Sequence, residues 1–415
     1  MRIHPHSLLP VALIAAGGAA ALHGFVAPAV ATAPIAPPPA GNSAAIGPDV
    51  IVGDLFDMVR WGRIGDLAAY SVGTISCNIG DMELDWFANT NRHPVIAQNV
   101  YRYSEVDGAG RFEQIGMSWL KHGFTALNQN LCSTCIPSAG TTLGVGCSDP
   151  YSGSLNGLQD LLGPRSEVNP WTGHFTFPFG GGPPANNVVD RRIQINNDDL
   201  DDALHPGATY FAEGQYVTPD DAAWGNQDNN VSYRELRKTG NRPSYVLDFP
   251  GGGPKTQRTQ PAIQAWKAID PQVQIEDVQY PGDGHLLLGH RAYDLGNGMW
   301  RYEYAFYNQT SNRGAGAFAV PIPAGVNVSN VEFHGINHHS GEPYETTDWT
   351  PQMIQGHLAW ITNSVPNAKA LRWGTLFNFR FDADSPPATV RVKTASFGRR
   401  PGVPRRLDVM ATGPG

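Results

Sequence analysis

Nine polar side chains within thirty residues form the densest candidate chemistry in the chain: His93, Gln98, Asn99, Tyr101, Arg102, Glu113, Gln114, Lys121 and His122. An imidazole, a phenol and a carboxylate brought together could run acid–base chemistry on a polymer. Carboxylates would serve glycoside hydrolysis, and a His/Tyr pair would serve proton abstraction in a lyase. The candidate catalytic set is His93, Tyr101, Arg102, Glu113, Lys121 and His122. The competing reading makes Arg102 and Glu113 a cross-strand ion pair and His93 a turn residue before Pro94.

Two further groups suggest metals. His334, His338 and His339 carry imidazole nitrogens suited to zinc or copper, and with a transition metal bound they would support an oxidase. Gly335 and Asn337 argue instead for a polar turn with surface histidines. The acidic stretch holds Asp198, Asp199, Asp201, Asp220, Asp221 and Asp228, oxygen ligands of the kind calcium takes. Calcium is the one cofactor this pattern suggests, and a solvated acidic loop is the alternative. Trp171, Trp224, Trp266, Trp349 and Trp360 fall outside the clearest strands. Exposed tryptophans stack on sugar rings, whereas buried ones serve as core. The chain contains no G-x-S-x-G elbow, H-E-x-x-H, Walker A or EF-hand loop, which weakens the commonest hydrolase, metalloprotease and nucleotide readings.

The elements that must position these groups read as strands. Val95, Ala97, Asn99, Tyr101 and Tyr103 alternate on one face. "VDGAG" then turns the chain into "RFEQIG", so 95–115 forms a β-hairpin that returns Glu113 to Tyr101 and Arg102. Helical spacing of Trp119, Leu120 and Phe124 predicts a short helix in "SWLKHGFTAL". Asn297-Gly298 supplies the positive-φ turn of a second hairpin. On it Trp300, Tyr302, Tyr304 and Phe306 line one face, and Arg301 and Glu303 the other. Phe377, Phe379 and Phe381 repeat the pattern. Gly and Pro total 81 of 415 residues, which favours short strands and turns over long helices.

The fold class expected is mainly β: an antiparallel β-sandwich at the C-terminal end, preceded by a β-rich, disulfide-containing N-terminal domain. The expected boundaries are a signal peptide at 1–33, a Pro/Ala-rich linker at 34–48 and a β-rich domain at 49–249. A linker at 250–260, a sandwich at 261–397 and a basic flexible tail at 398–415 follow.

Arg2, an apolar stretch and the A-x-A site at Ala31–Ala33 carry the export reading. With export, Cys77, Cys132, Cys135 and Cys147 form two disulfides, with the pairing open among three connectivities. A four-Cys zinc site is the alternative, although only one C-x-x-C pair exists. The formal charge of −8 disfavours a nucleic-acid binder. After removal of the signal, no segment is long and apolar enough to span a membrane.

The blocks "SCNIG", "HPVIAQN", "RFEQIGMSWLKHGF", "LGVGCSDPYS" and "LGPRSEVN" resemble a family of uncharacterised exported bacterial proteins, and the likeness covers most of the mature chain. The resemblance implies export and supplies no catalytic residue. The sequence therefore points to an exported binding or envelope-associated protein. It would recognise an extracellular polymer such as a polysaccharide, at the cell surface, in the periplasm or outside the cell. The alternative is a secreted polysaccharide-degrading hydrolase or lyase using the group around His93 to His122.

Overall fold

The computed structural model describes residues 45–253 and 255–415. The expected signal peptide and nearly all of the expected 34–48 linker lie outside the described residues. Among the described residues, no helix is long and apolar enough to cross a membrane.

Local turn chemistry builds the two hairpins. Asp107 (φ 51°) and Gly108 (φ 77°) join strands Val95–Val106 and Ala109–Met117. Asn297 (φ 53°) and Gly298 (φ 78°) join Gly284–Gly296 and Met299–Asn308. Two consecutive left-handed residues match the twist of paired strands, which is why Asp-Gly and Asn-Gly occupy these sites. The helix expected near Trp119 is instead a strand, Leu120–His122, paired with Val95 and Ile96. Alternation sends Leu120 and His122 to one side and Lys121 to the other, and sheet pairing outweighs the weak local propensity.

Among the described residues the strands form four antiparallel sheets, with a two-stranded ribbon beside them. The first joins Val50–Ile64, Leu67–Asn78, Ile193–Asn196 and Ser148–Tyr151. The second is seven-stranded and is built around Val95–Val106, Thr209–Val217 and Val231–Thr239. The third joins Gln274–Tyr280, Gly284–Gly296, Met299–Asn308, Thr375–Ala383 and Val328–Gly335. The fourth joins Thr350–Ile354, His357–Ile361, Ala315–Pro321, Pro387–Ser396 and Arg406–Pro414.

One core (Val52, Leu55, Tyr70, Ile96, Val100, Tyr216) packs the first sheet on the second. Another (Leu288, Tyr304, Phe306, Phe318, Trp360, Phe379) packs the third on the fourth, giving the expected C-terminal sandwich. A third cluster joins the opposite faces of the two inner sheets: Tyr101, Phe112, Phe211, Leu287, Tyr307 and Leu376, with Trp266. The halves read from sequence as two domains thus share a core, and the described residues form one compact unit.

This seam covers the polar face of the second hairpin. Arg301 and Glu303 do not face solvent. Both are buried in the seam, where Arg301 pairs with Asp382 at 2.8 Å and Glu303 with Arg380. The segment expected as a linker is bonded to the first sheet: Thr256 Oγ1 accepts from Leu55 N at 3.0 Å, and Arg258 Nε donates to Gly53 O at 2.6 Å. The expected flexible tail also contains an ordered element. Arg406–Pro414 pairs residue for residue with Pro387–Ala395 as an edge strand.

Both expected disulfides form, pairing Cys77 with Cys132 and Cys135 with Cys147. They close the turn-rich segment that follows Leu120–His122, and all four sulfurs are used, so the thiolate zinc alternative is overturned.

Candidate functional site

The polar group around His93 to His122 does not converge. It divides among separately packed environments, because neighbouring strand residues point to opposite faces. His93 and His122 form one pair, Nε2 to Nδ1 at 2.9 Å. His93 Nδ1 faces the Phe87 carbonyl at 3.1 Å and must donate to it, so His93 Nε2 accepts from His122. Phe175 and Phe179 pack on the His122 ring, the latter stacked at 3.8 Å between centroids. Burial holds His122 down at about 2 and lowers His93, so both imidazoles stay neutral.

Lys121 projects the other way, against Phe124 and Tyr151, and donates to the His122 carbonyl at 2.5 Å. Burial brings its ammonium down to about 7 and raises nearby Asp149 to about 7. Tyr101 lies in the seam, and its hydroxyl donates to Glu213 at 2.8 Å. Asn99, Tyr307 and the Ala262 amide also donate to Glu213, so four donors meet one buried carboxylate. Burial raises Glu213, and these donors oppose the rise.

Arg102 and Glu113 are directly opposed and ion-paired at 2.5 Å, and Arg111 holds the other Glu113 oxygen at 3.0 Å. Burial works against the charge, but the two arginines win and hold Glu113 near 2. Such a carboxylate cannot donate a proton near neutral pH. The catalytic set His93, Tyr101, Arg102, Glu113, Lys121 and His122 is therefore not assembled, and the cross-strand ion-pair reading of Arg102 and Glu113 is the one that forms.

The metal expectations fail as written. Among the described residues, no three His, Cys, Asp or Glu side chains are arranged to hold a metal ion. His339 is tied to the Met117 carbonyl at 2.8 Å, His334 approaches the Gln114 carbonyl at 3.3 Å, and His338 packs against Tyr344. The six aspartates have separate partners. Asp198 and Asp201 pair with Arg242, and Asp199 with Arg102. Asp220 accepts from the Asp85 amide, Asp221 from Asn230 and Asp228 from Thr310.

The tryptophans sort cleanly. Trp266, Trp349 and Trp360 are core. Trp171 is half-buried and Trp224 is 49% exposed, and these two line one open groove. The groove has a volume of about 620 Å³ and is completed by Thr172, Pro219, Ala222, Gln227 and Asp228.

Two glycines fix its walls. Trp171 sits in a turn where Asn169 Oδ1 accepts from the Trp171 and Thr172 amides at 3.0 and 3.2 Å. Gly173 (φ +67°) clamps that turn onto the start of helix Pro219–Trp224, where a Cβ would lie 2.2 Å from the Thr218 carbonyl carbon. Trp224 ends the helix and covers Gly47, where a Cβ would lie 2.3 Å from the indole. Both rings are thus held by backbone contacts that only glycine permits. Trp171 and Trp224 were visible as candidates in the sequence. Gly47, Gly173 and Gln227 carried no comparable signal, because their role depends on contacts remote in the chain.

Compared with known proteins, the chain matches no family model and no curated protein.

Proposed function

We infer that this is an exported, non-catalytic protein that binds a neutral polysaccharide through the groove between Trp171 and Trp224. The carrying observation is the pairing of two accessible indoles on rigid supports in one open groove. Sugar rings present C–H faces that stack on indole, while their hydroxyls donate to and accept from flanking polar groups. Thr172, Gln227 and Asp228 supply such groups. Among the described residues, Asp228 is the only charged one lining the groove, which favours a neutral polymer over an anionic one. Two disulfides that use every cysteine support a place in an oxidising compartment outside the cytoplasm. The resemblance to exported bacterial proteins agrees with that placement.

Affinity electrophoresis against soluble β-glucan, xylan, mannan and an anionic pectin tests this reading. Retardation by at least one neutral polymer is expected. Free migration in all of the neutral gels would contradict it.

A further inference from the structure

Beneath the groove lies a cluster of buried oxygens without donors. Asp49 and Asp221 are 1% and 0% exposed. Asn229 Nδ2 donates to Asp49 Oδ2 at 3.2 Å, and Asn230 Nδ2 donates to Asp221 Oδ2. Each amide therefore spends a donor on a carboxylate. The remaining oxygens, Asp49 Oδ1, Asp221 Oδ1, Asn229 Oδ1 and Asn230 Oδ1, are buried and have no hydrogen-bond partner. Gln227 Oε1, from the same loop, is a fifth. Buried polar atoms are almost always satisfied, so five orphaned acceptors within one neighbourhood need an explanation. Among the described residues, neither carboxylate has an ion-pair partner, and each keeps one oxygen without a hydrogen-bond donor.

We propose that Asp49, Asp221, Asn229 and Asn230, with Gln227 beside them, form a calcium site. A hard divalent cation takes six to eight oxygen ligands from carboxylates, amides, carbonyls and water, and it needs no donor from the protein. Two carboxylates supply the compensating charge, and an all-oxygen set excludes a soft metal. An ion there would tie 47–49 to helix Pro219–Trp224, a link that Asn226 already makes through the Ile46 and Pro48 carbonyls. The site stands independently of what the groove binds.

The full chain, stripped on chelating resin, is dialysed against CaCl2 and assayed for bound metal and unfolding midpoint. One calcium per chain is expected, with a dissociation constant of about 10⁻⁴ to 10⁻³ M. The midpoint should rise with calcium and not with equal magnesium. Asp221→Asn and Asp49→Asn should each abolish the bound ion. No calcium bound by the folded wild-type chain would overturn the proposal and leave the two acids as proton holders. Undiminished binding in both variants would also overturn it. If the variants do not fold, terbium decides: indole-sensitised emission, displaced by calcium, should fall in Trp224→Phe. Emission unchanged in that variant would place the ion elsewhere.

Discussion

Glu113 and Arg102 face each other across paired strands, Oε2 to Nη2 at 2.5 Å, with both side chains buried. Arg111 holds the second oxygen of Glu113 and reaches Glu332 of the opposing sheet at 2.9 Å. A pair that looks catalytic in sequence is therefore part of the ionic network joining the two halves.

Removing one member should leave a buried charge unmatched. Glu113→Gln is expected to cost about 3–5 kcal/mol of stability without changing polysaccharide retardation. The Glu113 carboxyl is depressed from 4.5 to about 2, so its contribution is complete above pH 4.5 and is lost as pH falls toward 2. That contribution is about 3 kcal/mol, and denaturant titrations of both proteins between pH 6 and pH 3 measure it. Equal slopes in the two proteins would contradict the assignment.

The histidine pair predicts a second acid sensitivity. His122 is depressed from 6.5 to about 2, so the unfolded chain takes up a proton that the folded chain refuses. Stability from this group is complete above pH 6.5 and falls by about 1.4 kcal/mol per pH unit below it. Replacement by a group that does not titrate removes that slope, so His122→Asn should flatten the pH dependence between 6.5 and 4.5. Ring NMR signals that titrate near pH 6.5 in the wild-type protein would contradict the neutral pair.

Much of the fold was legible because alternation and turn chemistry act locally. The hairpins at Asp107-Gly108 and Asn297-Gly298 and the facing of Glu113 to Arg102 all follow from period and turn residues. What stacks on a strand's polar face is not local. Arg301 and Glu303 read only as the polar face opposite the aromatics, and that face is buried because Arg380 and Asp382 arrive from a strand some eighty residues later. The same limit hid the oxygen cluster. Asp221 was recognisable within the acidic stretch, but its neighbour Asp49 is 172 residues distant, and Asp198, Asp199 and Asp201 of the same stretch are taken by Arg242 and Arg102.

The disulfides close loops of different length. Cys77–Cys132 spans 55 residues and Cys135–Cys147 spans 12. Chain entropy gives roughly 4 and 3 kcal/mol respectively. Cys77→Ala/Cys132→Ala should therefore lose more stability than Cys135→Ala/Cys147→Ala in chemical unfolding. The reverse order would show that contacts within the loop, rather than its length, set the stabilisation.

Preorganisation of the groove rests on Gly173. A Cβ there meets the Thr218 backbone and would sit at positive φ, so the Trp171 turn must lift from the helix. Gly173→Ala should weaken polysaccharide retardation although both tryptophans remain, with an expected stability loss above 1 kcal/mol. Full retention of binding would show that the turn need not be clamped.

The central claim is tested most directly by affinity electrophoresis of wild-type, Trp171→Ala and Trp224→Ala proteins in gels containing neutral polysaccharides. The account predicts retardation of the wild-type protein in at least one polymer. Each substitution should weaken binding roughly tenfold, the order of one lost aromatic stacking contact. Trp224→Ala should keep the wild-type unfolding midpoint to within about 2 °C, since that ring is 49% exposed, and Trp171→Ala, which removes a half-buried ring, should lower it by only a few degrees. Retardation undiminished in both variants would show that the groove is not the binding site.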